Sequence, residues 1–192
     1  AEIAMSQTEM ICPHKDTVLA ISDYEKGKSF LDGKSASVDS ALYYMKSARD
    51  RFYKISCWEQ SVKMSYNIAV LYQKLKESDK ADEEIFKAQK LAAGKLSDDR
   101  RWKGKIDFYL AEKNFKSKNY EEAEKYLKNS KNIFNNSEAW KDYVAACRFL
   151  AQLYLYKQEY SKMEESIDEA YAITSEKLKS DPNLIKSIMQ LY

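Results

Sequence analysis

Small residues recur in this chain at a fixed spacing, and that register confines it to a narrow set of folds. Ile68-Ala69-x-x-Tyr72 is followed by Ala81-x-x-x-Ile85-x-x-Ala88, and Leu110-Ala111-x-x-Asn114 by Ala123-x-x-x-Leu127-x-x-Ser130. Leu150-Ala151-x-x-Tyr154 is followed in the same way by Met163-x-x-x-Ile167-x-x-Ala170. In each copy 12 residues separate the leading alanine from the start of the second set. A looser first copy runs Gly27-x-x-Phe30, then Ala41-x-x-x-Met45-x-x-Ala48, with 14 residues between. The extra two fall in the loop-like run Gly33-Lys34-Ser35-Ala36-Ser37. Small side chains let a partner helix approach closely, where larger ones would hold the backbones apart. Apolar residues three and four apart on both sides of each link read as two amphipathic helices.

The links are short and polar: Lys76-Glu77-Ser78-Asp79, Lys116-Ser117-Lys118-Asn119 and Lys157-Gln158-Glu159. Connections of that length fold two helices into an antiparallel hairpin. Asn119 with Glu122, and Ser161 with Glu164, have capping-box spacing. Asp181 before Pro182 sets an N-cap acceptor ahead of a proline at the first helical position. The pattern predicts helices near 14–33, 37–56, 58–76, 79–95, 98–117, 120–134, 137–158, 160–179 and 182–192. A further short helix is expected within 2–11, before Pro13.

Composition narrows the class. Only 4 glycines and 2 prolines occur, too few for a turn-rich β-sandwich or an alternating β/α fold. The net charge is +2, balanced in both halves, so direct binding of nucleic acid or an anionic membrane lacks its basic surface. Arg100, Arg101, Lys103 and Lys105 follow Asp98 and Asp99 and read as a charge-balanced helix start. No apolar run approaches the ~20 residues that span a bilayer. Cys12, Cys57 and Cys147 are odd in number and far apart, and His14 has no ligand partner nearby in sequence. They read as free thiols packed as small hydrophobes, with no disulfide, no metal and no cofactor. There is no HExxH, GxSxG or P-loop glycine pattern, and the chain is expected not to be an enzyme. Glu83-Glu84, Glu121-Glu122 and Glu164-Glu165 fall in first helical turns, where carboxylates oppose the helix dipole rather than serve as acid and base.

The register resembles the tetratricopeptide repeat (TPR) family, whose consensus reads roughly N-L-G-x-x-Y followed by A-x-x-x-F-x-x-A. Tyr66-Asn67-Ile68-Ala69-Val70-Leu71-Tyr72 with Ala81, Ile85 and Ala88 carries it best, and the resemblance runs from Asp16 to Lys179. The interval here is 40 to 42 residues, against about 34 in the common form. Longer helices of that kind resemble the long-repeat relatives in bacterial signalling regulators and kinesin light chains. Asn114 replaces an aromatic, Ser130 and Met163 stand where alanine is usual, and of the family's prolines after the second helix Pro182 is the one present. The resemblance implies an all-α, right-handed α-solenoid of antiparallel hairpins. It implies one domain over 1–192, with about four repeats near 14–56, 58–95, 98–134 and 137–179, and 182–192 opening a further helix.

In such a stack one concave groove is lined chiefly by the first helix of each pair. The candidates are Lys63, Tyr66, Asn67, Val70, Gln73 and Lys74 in the second copy. The third adds Lys105, Phe108, Tyr109, Glu112, Phe115 and Lys116, and the fourth Arg148, Phe149, Gln152, Leu155 and Tyr156. Aromatic rings interleaved with amides and charges suit a protein or peptide partner. The carboxylate clamp of chaperone-binding relatives is matched only at Lys63 and Asn67. The expected role is a protein-binding regulatory or sensory segment of a larger signalling protein, a sensor kinase or transcription regulator; the alternative is a stand-alone scaffold or adaptor. The cytoplasm is favoured, with the periplasmic part of a membrane sensor as the alternative. Leu184, Ile185, Ile188, Met189 and Tyr192 form an apolar stripe, and a homodimer through it is expected.

Overall fold

The computed structural model describes residues 12, 17–32, 37–96, 100–178 and 181–190. The readings placed on 2–11, Pro13, His14, 33–36, Asp98, Asp99, Leu191 and Tyr192 lie outside them. Among the described residues all regular structure is helical. The order is α1 (Thr17–Asp32), α2 (Val38–Lys54), α3 (Trp58–Lys74), α4 (Ser78–Lys95), α5 (Arg101–Lys116), α6 (Tyr120–Asn136), α7 (Trp140–Lys157), α8 (Tyr160–Lys177) and α9 (Pro182–Met189). These bounds fall within a few residues of those the periodicity predicts. No helix among the described residues is long and apolar enough to cross a membrane.

The chain divides into two compact units, Ala1–Asp99 and Arg100–Tyr192. In the first, α1 pairs with α2 and α3 with α4, and α2 packs on α3. Tyr24, Met45, Phe52, Met64, Ile68 and Leu71 fill its core. Gly27 lets α1 lie close against α2. A Cβ there would lie 3.2 Å from the Ala41 carbonyl oxygen and 3.3 Å from the Met45 amide nitrogen. In the second unit α5 pairs with α6 and α7 with α8, α6 packs on α7, and α9 closes on α8. Ala111, Ala123 and Leu127 lie in one apolar cluster with Leu150, Leu153 and Tyr154. Ala69, Ala111 and Ala151 are all buried, as close helix contacts require. Ile188 of α9 is buried among Val144, Cys147, Ala151, Ile167 and Ala170, and Leu184 packs at the edge of that cluster. Of the apolar stripe predicted to join two copies, Ile188 and Leu184 thus pack inside their own unit, and Met189 remains 55% exposed.

Five connections share one backbone geometry. Ser56, Lys76, Lys118, Glu138 and Gln158 each take a left-handed φ of 54 to 62°. The amide after each donates to the carbonyl five residues back: Cys57 to Phe52, Glu77 to Tyr72, Asn119 to Asn114, Ala139 to Phe134 and Glu159 to Tyr154. This is the Schellman closure of a helix C-terminus. The donor residue is also the N-cap of the next helix, so no linker residue is left over. That corrects two predicted caps. Asn119 is an N-cap, but its ψ of 71° leaves its side chain without a capping hydrogen bond. Ser161 lies inside α8, whose N-cap is Glu159. Asp181 caps as predicted, its carboxylate accepting from the Asn183 and Leu184 amides.

A second correction concerns the cysteines. Cys12 and Cys57 form a disulfide with Cα atoms 5.9 Å apart. An odd count without a motif hides a pairing across 45 residues, because it depends on the fold carrying the α2–α3 turn to Cys12. Cys147 stays free and buried, as the sequence reading had it.

Candidate functional site

Phe108, Glu112 and Phe115 recur on one face of α5 at helical spacing, and Arg148 and Gln152 on one face of α7. In the second unit these two faces meet. Together with Lys116, Ala145 and Phe149 they line a groove with a cavity volume of about 390 Å³. Three rings of its wall, Phe108, Phe115 and Phe149, belong to a row that runs on past the groove to Tyr156 and Tyr120. Phe108 and Phe149 have centroids 5.6 Å apart, Phe149 and Phe115 5.3 Å, and Phe115 and Tyr156 5.1 Å, the last two pairs edge to face. Tyr120 closes the row 5.6 Å from Phe115. Offset and edge contacts of this kind hold each ring in one orientation.

Among the described residues neither Glu112 nor Arg148 forms an ion pair, and the buried Nε of Arg148 has no hydrogen-bond partner. A buried donor without an acceptor costs free energy that an incoming acceptor recovers.

Both ends of α7 are braced. Near its C-terminal end the Tyr154 hydroxyl donates to Glu124 Oε1 at 3.0 Å and Lys157 Nζ donates to Oε2 at 2.6 Å. Burial raises the Glu124 pKa, but hydrogen bonds from Lys128, Lys157 and Tyr154 outweigh it and hold the carboxyl at about 2. Nearer the start of α7, the Tyr143 hydroxyl and the Cys147 thiol donate to Glu169 Oε2, which Lys131 also grips at 2.6 Å. Burial, with the Glu169 charge beside it, pushes the Cys147 thiol up to about 12, so it keeps its proton.

The other predicted residues are placed differently. Tyr109 is only 1% exposed, because one residue along a helix turns the side chain by 100° and Phe108 already takes the groove. Asn67 and Val70 on α3 are buried, while Lys63, Tyr66 and Gln73 are half-buried. None of the α3 candidates lines the cleft that α3 does border; that cleft opens on the opposite face, at Ser61 and Ser65. Tyr156 stands at the end of the aromatic row and Leu155 is exposed beside it. Ala145 was missed: its small side chain carries no composition signal, and only its spacing from Arg148 and Gln152 marks it.

No family model matches the chain, and no curated protein sequence matches it. Solved structures do. The aspartyl phosphate phosphatase F of Bacillus subtilis superposes over 93% of this chain at a TM-score of 0.79 and 14% identity. This chain spans 45% of that protein's length. The TPR-like repeats of a Podosopora anserina chain described as kinesin light chain match 94% of this chain and 85% of theirs, with a TM-score of 0.68 and 15% identity. BtubC (BKLC) of P. vanneervenii matches 92% of this chain and 83% of its own, at 0.56 and 15%. The chain therefore has the all-α, hairpin-repeat fold of TPR-like proteins.

Proposed function

We propose that this TPR-like chain is a non-catalytic module that binds a protein segment in the α5–α7 groove. The observation that carries the reading is the row of rings from Phe108 to Tyr156 beside an Arg148 and a Glu112 that form no ion pair among the described residues. Rigid rings supply contact area at low entropic cost, and unpaired charges set register. The fitting segment presents an apolar side chain to the rings and an acceptor to Arg148. A test is selection of a displayed peptide library on the whole chain, with counter-selection on Arg148→Ala/Gln152→Ala. Peptides that need both residues support the reading; selected peptides indifferent to both reject it.

The likeness to a phosphatase chain of which this one spans 45% supports a regulatory segment of a larger signalling protein. The likeness to most of the length of the Podosopora anserina and BtubC chains supports the stand-alone adaptor. The Cys12–Cys57 disulfide favours an oxidising compartment over the cytoplasm that the sequence alone favoured.

A further inference from the structure

The first unit holds a second cleft, of about 550 Å³, between α2, α3 and α4. Its walls are unusually cationic for a chain of balanced charge. Arg49, Lys87, Lys90 and Lys95 line it, against Asp50 in the lining and Glu84 beside it. Glu84 is 4% exposed and grips two of the cations, Arg49 Nη1 at 2.6 Å and Lys87 Nζ at 2.7 Å. Arg49 also donates to Asp50 at 2.9 Å. These bonds fix two positive groups in place and leave charge over. Lys90 has no ion-pair partner among the described residues, and Lys95 Nζ sits 5.3 Å from the centroid of Trp58, which meets Tyr53 edge on.

Two further features point to an occupant. Ser65 lines the cleft and brings a hydroxyl to its wall. Gly94 leaves the rim open, since a Cβ there would meet nothing within 4 Å. A hydroxyl in the wall of a cationic cleft can donate to an anion held there. The size is that of a small-molecule site.

We infer that this cleft binds a small organic anion carrying two or more carboxylate or phosphate groups, held by Lys90, Lys95 and the Ser65 hydroxyl, with its body against Tyr53 and Leu91. The site is separate from the α5–α7 groove and does not depend on it.

Isothermal titration of the whole chain with citrate and with pyrophosphate, in about 150 mM salt, tests it. At least one probe should bind at one site with a Kd below about 1 mM. Which of the two binds distinguishes a carboxylate from a phosphate ligand. Lys90→Glu/Lys95→Glu should weaken binding at least tenfold, while Lys141→Glu/Lys186→Glu, with the same change in net charge, should leave it unchanged. Gly94→Leu should weaken it too, by filling the cleft without touching charge. Circular dichroism confirms that each variant is folded. Absence of binding by both probes, equal loss in the Lys141/Lys186 pair, or full binding in Gly94→Leu would overturn the assignment.

Discussion

A methyl group added at Gly104 would meet Phe134 Cε1 at 2.8 Å and Ile133 Cγ2 at 3.0 Å, whereas one added at Gly94 meets open space. Gly104 lets α5 lie against α6 closely enough for the Ser130 hydroxyl to donate to its carbonyl at 2.9 Å. Gly104→Ala should therefore cost about 1–3 kcal/mol through overpacking. Gly94→Ala should gain up to about 0.5–1 kcal/mol by restricting the unfolded chain. Thermal melts of the two variants should move in opposite directions. Two carboxyls make a similar pair. Burial raises the Asp107 pKa from 3.8 to about 6, a raise that Lys103 only partly offsets. Its protonated form thus stabilises the fold at low pH, and that contribution is lost as pH rises through about 4 to 6. Asp107→Asn should match the wild type below pH 4 and exceed it by about 1–2 kcal/mol at pH 7, after allowance for solvent screening. Glu124, held at about 2, contributes stability above pH 4.5 that is lost as pH falls toward 2. Glu124→Gln should accordingly be less stable at pH 7, with the gap closing in acid. Gaps of the reverse sign in either series would contradict the stated environments.

Within the elements, sequence reading recovers the helices because amphipathic period and buried alanines are local signals. It misses how they join. The left-handed positions are Ser56, Lys76, Lys118, Glu138 and Gln158, none of them the Gly or Asn that usually announces such a turn. It also reads caps into Asn119 and Ser161, because a Schellman closure that runs straight into the next helix leaves no extended N-cap residue. Lys118→Gly should stabilise the α5–α6 hairpin by about 0.5–1 kcal/mol, since glycine takes this φ freely. Lys118→Val should destabilise it, because a β-branched residue does not. Equal melting temperatures for the two variants would show that the turn is not held left-handed. Phe108, Glu112, Phe115, Arg148 and Gln152 come together in one groove, and Tyr109, a single helical step from Phe108, is buried instead.

Across the whole molecule, the repeat interval carries the architecture and says nothing of Cys12 meeting Cys57. Closing 45 residues by that bond should contribute about 2–4 kcal/mol, mainly by restricting the unfolded chain. Unfolded without reductant, the chain should expose one titratable thiol, Cys147, and three after reduction. Three thiols without reductant would restore the reading of free cysteines and with it the cytoplasm. The basic cleft of the first unit was invisible for a related reason: its cations come from α2 and α4, each with carboxylates close by in sequence, so no run of charge marks it. The central claim is that the α5–α7 groove is where a partner segment docks. Titration calorimetry of a library-selected peptide against the whole chain, wild type and Arg148→Ala/Gln152→Ala, addresses it directly. The groove predicts an affinity loss of at least about tenfold, near 1.4 kcal/mol, in a variant that melts like the wild type. An unchanged affinity in that folded variant would contradict it.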